Sequence, residues 1–140
     1  MPWRPFLSAQ DRSAGGGGVR RRPGVLVVLR EDALRALIRR TLEDEGYRVL
    51  EVRDAAEALV ALTVLERSLD LVLADLTEPG ITGSDGLVKR LAPTTRVLLL
   101  SLFTEDDTTP GRAVEGVPVL RNPFRSDALR DKVREVLKGR

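Results

Sequence analysis

Asp75 stands at the end of an apolar run, in DLVLADLTEPG (Asp70–Gly80). A carboxylate at the C-terminal end of a buried strand, just before a Pro-Gly turn, is a common way for an α/β sheet to present chemistry. The same group can instead cap the turn or pair with an arginine. Ser101, at the end of RVLLLS, offers a hydroxyl in a comparable place, although a strand-end serine commonly bonds local backbone. The chain has no histidine and no cysteine. That removes the usual general base, the usual zinc ligands, disulfides and phosphohistidine chemistry. The loop after the first apolar run, REDAL, holds no glycine-rich phosphate cradle, and the lone GGGG (Gly15–Gly18) precedes that run. An enzyme or cofactor-binding domain is therefore the weakest reading, and no cofactor is expected.

The elements that would position Asp75 alternate regularly. VLVVL (Val25–Leu29), RVLEV (Arg48–Val52), DLVLAD (Asp70–Asp75), RVLLLS (Arg96–Ser101) and VPVLR (Val117–Arg121) read as five strands. The fourth is continuously apolar, which suits a central strand covered on both faces. Between them lie helical patterns. EDALRALIRRTLEDEGY places Leu34, Leu37, Ile38 and Leu42 on one face, with Asp32 as its cap and Gly46 as its stop. DAAEALVALTVLERSL opens with Asp54 and Glu57 in capping-box spacing. SDGLVKRL is a short helix closed by Pro93. SDALRDKVREVL is the last helix, capped by Ser126, with Leu129, Val133, Val136 and Leu137 as its buried stripe. Such alternation with short connections predicts a parallel sheet with helices on both faces.

The 140 residues suit one domain with a real core, at 42% hydrophobic and 31% charged. No apolar stretch approaches the ~18–20 residues of a membrane span, and no secretory signal is visible at the N-terminus. Cytoplasmic residence without membrane insertion is the expectation. Residues 1–24 read as a flexible basic Gly/Arg-rich tail, and residues 25–140 as the folded domain. The tail carries five arginines against one aspartate, so the overall charge of +2 conceals a mildly acidic domain. A basic face for nucleic acid is not indicated, beyond weak contact through the VRRRPG stretch.

The order of elements and several local matches resemble the receiver domain of bacterial two-component response regulators. The matches are LVVLREDALRALIRRTLEDEGYRV, DAAEAL, DLVLADLTEPGITG, VLLLS and VLRNPF, and they span about Gly24 to Leu137. The resemblance implies a flavodoxin-like sheet in the order 2-1-3-4-5. It also implies phosphorelay signalling, in which a histidine kinase phosphorylates an aspartate at the end of the third strand. That transfer needs a carboxylate nucleophile, an acidic pair holding Mg²⁺, a lysine on the phosphoryl group, and a Ser or Thr hydroxyl.

Carried over residue by residue, the phosphoacceptor position is Asp75 and the hydroxyl position is Ser101. The acidic pair is replaced by Leu29 and Arg30, the lysine by Asn122, and the aromatic switch by Val119. Pro123 and Phe124 remain. A two-residue slip would bring Glu31 and Asp32 to the acidic positions, but it would displace the helix stripe Leu34, Leu37, Ile38 and Leu42. Arg30 either reaches Asp75 as a permanent ion pair or points to solvent. The segment TEDDTTPGRAVEG places Pro110 and Gly111 where a fourth helix would have its middle. A shortened helix from Pro110, capped by Thr109 behind Glu105, Asp106 and Asp107, is expected. These readings converge on a stand-alone, degenerate receiver that is not an enzyme and that binds a protein partner, a histidine kinase or another signalling protein. Its expected surface lies around Phe103, Arg112, Val119, Arg121 and Phe124. The alternative is a working phosphoacceptor at Asp75, which would require Mg²⁺.

Overall fold

Each of the five apolar runs forms a strand in the structure, a computed structural model that describes residues 22–102, 114, 116–121 and 124–138. β1 is Gly24–Val28, β2 Arg48–Val52, β3 Leu71–Asp75, β4 Arg96–Ser101 and β5 Val119–Arg121. All pairs are parallel, in the order β2-β1-β3-β4-β5 implied by the resemblance. Four α-helices lie among the described residues: α1 Asp32–Asp44, α2 Ala55–Leu65, α3 Leu87–Arg90 and α4 Ser126–Lys138.

The two-residue period of the strands divides the core. Leu26, Val28, Val72, Ala74 and Leu99 face one way, onto Ala58, Ala61 and Leu65 of α2 and Leu87 of α3. Val25, Val27, Leu71, Leu73, Leu98 and Leu100 face the other way, onto Ile38 and Leu42 of α1 and Leu129 and Val133 of α4. The continuous apolar character of β1, β3 and β4 follows from this double covering.

Several local expectations are revised. The residue capping α1 is Glu31, whose carboxylate accepts the Leu34 N–H at 2.7 Å. Asp32 is already helical and pairs with Arg35 at 2.9 Å. Leu37 is 45% exposed, because Thr41 takes the inward position beside Ile38 and Leu42 and bonds its hydroxyl to the Leu37 carbonyl. Ser126 is the first residue of α4 rather than its cap. β5 begins at Val119, since Pro118 has no N–H and the Val117 N–H closes a turn on Val114. The helix expected from Pro110 lies outside the described residues, as do residues 1–21 of the 1–24 tail, whereas Gly24 opens β1.

Other signals hold. Asp54 caps α2 by accepting the Glu57 N–H at 2.9 Å. Gly46 ends α1 at φ +97°, and the N–H groups of Gly46 and Tyr47 return to the carbonyls of Glu43 and Leu42. Gly80, in the turn after Asp75, has φ +88°, and a Cβ there would meet the Ala55 Cβ at 3.0 Å. A Cβ at Gly46 meets nothing within 4 Å. Gly46→Ala should therefore cost only the left-handed backbone penalty, about 1–2 kcal/mol. Gly80→Ala should cost measurably more, because α2 must also move. Urea unfolding of the two variants checks the order.

Candidate functional site

The parallel register brings the C-terminal ends of β1, β3 and β4 to one level. Val28 lies opposite Ala74, and Asp75 lies opposite Leu100. One further step sets Leu29 beside Asp75 and Ser101 one residue beyond it. Glu31 and Asp32 are both engaged in the first turn of α1.

The half-buried Asp75 closes its own turn. Its Oδ1 accepts from the backbone N–H and the hydroxyl of Thr77, each at 2.8 Å, and its carbonyl accepts the Glu78 N–H at 3.1 Å. Leu29 is buried, with its side chain in the apolar cluster under α1 and α4. It therefore offers no group to the site.

Arg30 takes neither of the two courses open to it in the sequence. Its Nε donates to Glu78 Oε1 at 2.8 Å, and its Nη2 to Glu78 Oε2 at 3.0 Å. This is a two-point guanidinium–carboxylate pair. Nη2 also lies 4.0 Å from Oδ2 of Asp54, the cap of α2. The Glu78 side chain is 4% exposed and that of Arg30 60%, so the arginine covers the acid like a lid. The hydrogen bond and charge of Glu78 raise the Arg30 pKa, with a smaller contribution from Asp54, and the side chain is a permanent cation.

The structure thus gathers Arg30, Asp54 and Glu78 from the loops after three strands, with Asp75 at the end of β3 and Ser101, a buried hydroxyl, at the end of β4. Glu78 and Asp54 were not singled out as site residues in the sequence. The available signal was a lone carboxylate in the turn after β3 matched by a lone arginine in the turn after β1. Val119 is half-buried and packs against the α2–α3 side of the core. Phe124 packs against the opposite cluster, and Arg121 is exposed. Asn122, Pro123, Phe103 and Arg112 lie outside the described residues. Among the described residues no group of three or more Asp, Glu, His or Cys side chains could hold a metal ion, and no helix is long and apolar enough to cross a membrane.

A five-stranded parallel sheet in this order, with an aspartate at the end of β3 and a hydroxyl at the end of β4, defines a receiver-type domain. The response regulator receiver domain family matches residues 25–134, and the chain belongs to that family. Among its relatives, the transcriptional regulatory protein YvrH of Bacillus subtilis is 30% identical over 117 residues, 81% of this chain and 48% of the relative. The phosphate regulon transcriptional regulatory protein PhoB of Rhizobium meliloti is 32% identical over 83% of this chain and 52% of its own length. The chain therefore spans about half the length of these relatives. A crystal structure of a response regulator receiver domain protein from Clostridium thermocellum superimposes with a TM-score of 0.69 at 26% identity, covering 83% of this chain and 94% of that one. The domain is a receiver of two-component signalling.

The pair at the site has a measurable consequence. Arg30→Ala removes the cation and both hydrogen bonds from the Glu78 carboxylate, so the urea midpoint should fall. Glu78→Ala should fall less, because the exposed Arg30 can return to water. The combined variant should be more stable than the sum of the two losses. Additive losses would show that the pair contributes nothing.

Proposed function

We propose that this receiver works mainly by binding a protein partner, with Mg²⁺-dependent phosphorylation impaired or absent. The observation that carries this reading is the Arg30–Glu78 pair. A hard dication needs several oxygen ligands near Asp75. The residues beside Asp75 that would supply them are Leu29, which is sealed in the core, and Arg30, whose guanidinium already neutralises Glu78 and faces Asp54. The donor set does not fit the ion. Asn122 stands where the resemblance expects a lysine, so a second source of positive charge for an incoming phosphoryl group is missing as well. Phosphoryl transfer to a carboxylate proceeds by positioning and charge neutralisation, and here both are weakened.

On this reading the domain is a binding module rather than an enzyme, acting in the cytoplasm on a histidine kinase or another signalling protein. Arg121 and the adjoining β5–α4 surface are the part of the expected interface that lies among the described residues.

The test is chemical. With Mg²⁺ and either acetyl phosphate or beryllofluoride, the protein should show no phosphoryl mass increment and no fluoride adduct at Asp75. The triple change Leu29→Asp, Arg30→Asp and Asn122→Lys should restore Mg²⁺-dependent labelling. A phosphoryl or fluoride adduct on the unaltered protein, lost in Asp75→Asn, would overturn the proposal in favour of a working phosphoacceptor.

A further inference from the structure

Among the described residues, β2 has a neighbour on one side only. The Arg48 N–H donates to the Pro23 carbonyl, and the Val52 carbonyl accepts from Leu29. Arg48, Leu50 and Val52 therefore turn their backbone groups toward β1. The alternation of the strand then turns those of Val49 and Glu51 outward, along a free edge. Beside that edge Leu50, Val52 and Val60, together with the charged side chains of Arg35, Glu51, Arg53 and Glu57, line a groove of about 480 Å³. Val60 and Val64, one turn apart on α2, are 55% and 51% exposed. An open strand edge next to a strip of large aliphatic side chains is a combination that folded proteins ordinarily cover.

The chain carries its own occupant to this place. The Arg22 carbonyl accepts from Arg48 Nε at 2.9 Å, beside the Pro23–Arg48 backbone bond. The polypeptide before β1 thus departs next to the first residue of β2. Residues 1–21 hold one compact apolar group, Trp3, Phe6 and Leu7, with Arg4 among them. The fourteen residues 8–21 separate that group from Arg22 and include Gly15–Gly18. A glycine-rich chain of that length has a root-mean-square span of roughly 20 Å. The five residues of β2 extend about 17 Å. A tether matched to its span gives an effective concentration of order millimolar, so even a weak contact is populated.

We propose that Trp3–Leu7 docks on its own domain, across the free edge of β2 and the apolar strip of Val52, Val60 and Val64, with Arg4 near Glu57. The tail then acts as an internal cover rather than as a solvated leader. Its displacement would expose an edge and an apolar strip together, and the proposal does not depend on the reading given for the Arg30–Glu78 site.

Trp3 is the only tryptophan in the chain, so its fluorescence reports the contact directly. In the full-length native protein, acrylamide should quench Trp3 several-fold less than in the urea-unfolded chain. Val60→Glu with Val64→Glu, both on exposed positions, should restore unfolded-level quenching while the circular dichroism is unchanged. Trp3→Gly with Phe6→Gly alters only the tail and leaves the domain core intact. It should speed hydrogen exchange at the Val49 and Glu51 amides. Native quenching equal to that of the unfolded chain, protection indifferent to the Val60 and Val64 changes, or exchange at Val49 and Glu51 indifferent to the tail changes would each overturn the proposal. Protection that disappears on dilution would also overturn it, by assigning the groove to a second copy of the chain.

Discussion

Val25, Leu26, Val27 and Val28 are closed to solvent because β1 runs between β2 and β3 while α1 and α4 cover one face and α2 and α3 the other. Burial on both faces makes the register hard to change. A slip of one residue would exchange the two sets of side chains between two differently shaped clusters. That register is what brings the ends of β1 and β3 level, and so puts Leu29 beside Asp75 and Arg30 within reach of Glu78. The opposite end of the sheet is fixed by side chains. Asp70 Oδ2 accepts the Gly24 N–H at 2.8 Å, and Arg48 Nη2 donates to the Ser68 carbonyl at 3.0 Å. The site loops therefore stand on a platform held at both ends.

On that platform the balance of charge is made locally. Burying a carboxylate such as Glu78 without a partner is costly, whereas a two-point hydrogen-bonded pair satisfies both oxygens. A guanidinium on the β1–α1 turn also differs from a diffusible ion in one respect: it is tethered, so its occupancy does not depend on concentration. Asp75 meanwhile satisfies Oδ1 within its own turn through Thr77. The two acids after β3 are thus settled by different means, one by an arginine from another loop and one by its nearest neighbours.

The fold was legible because its signals are local and repeated. Apolar strand runs, the Asp54 cap and the Gly46 stop each act within a few residues, and the strands appear within two residues of their expected bounds. Asp75 was legible because a polar residue ends an apolar run. The partner of Arg30 was not, since Glu78 is 48 residues away in sequence and is placed by the turn that its N–H closes on the Asp75 carbonyl. No periodicity encodes such a contact. The misplacement of Leu37 has a different origin. Hydropathy favours Leu37 over Thr41 for the core, but Thr41 can be buried because its hydroxyl is satisfied one turn back, on the Leu37 carbonyl. The cap of α1 went to Glu31 rather than Asp32 because two adjacent acids compete for one position, and Arg35 draws Asp32 into the helix.

The same reasoning bears on how a site of this kind could respond to a signal. A receiver that depends on a bound ion and a phosphoryl group changes state when either arrives or leaves. On the reading proposed here, the cation is part of the chain and stays protonated at any physiological pH. Neither metal supply nor acidity would then alter the charge that Glu78 sees. Only a group that competes for Arg30 or for Glu78 could separate them, and Arg30, exposed over most of its surface, is the member a competitor can reach. An acidic side chain from a partner that takes the Arg30 guanidinium also uncovers Glu78 and removes both of its hydrogen bonds, which water or the partner must then replace. On that reading the pair favours one arrangement of the β1–α1 and β3–α3 loops, and partner binding is the event to which those loops would answer.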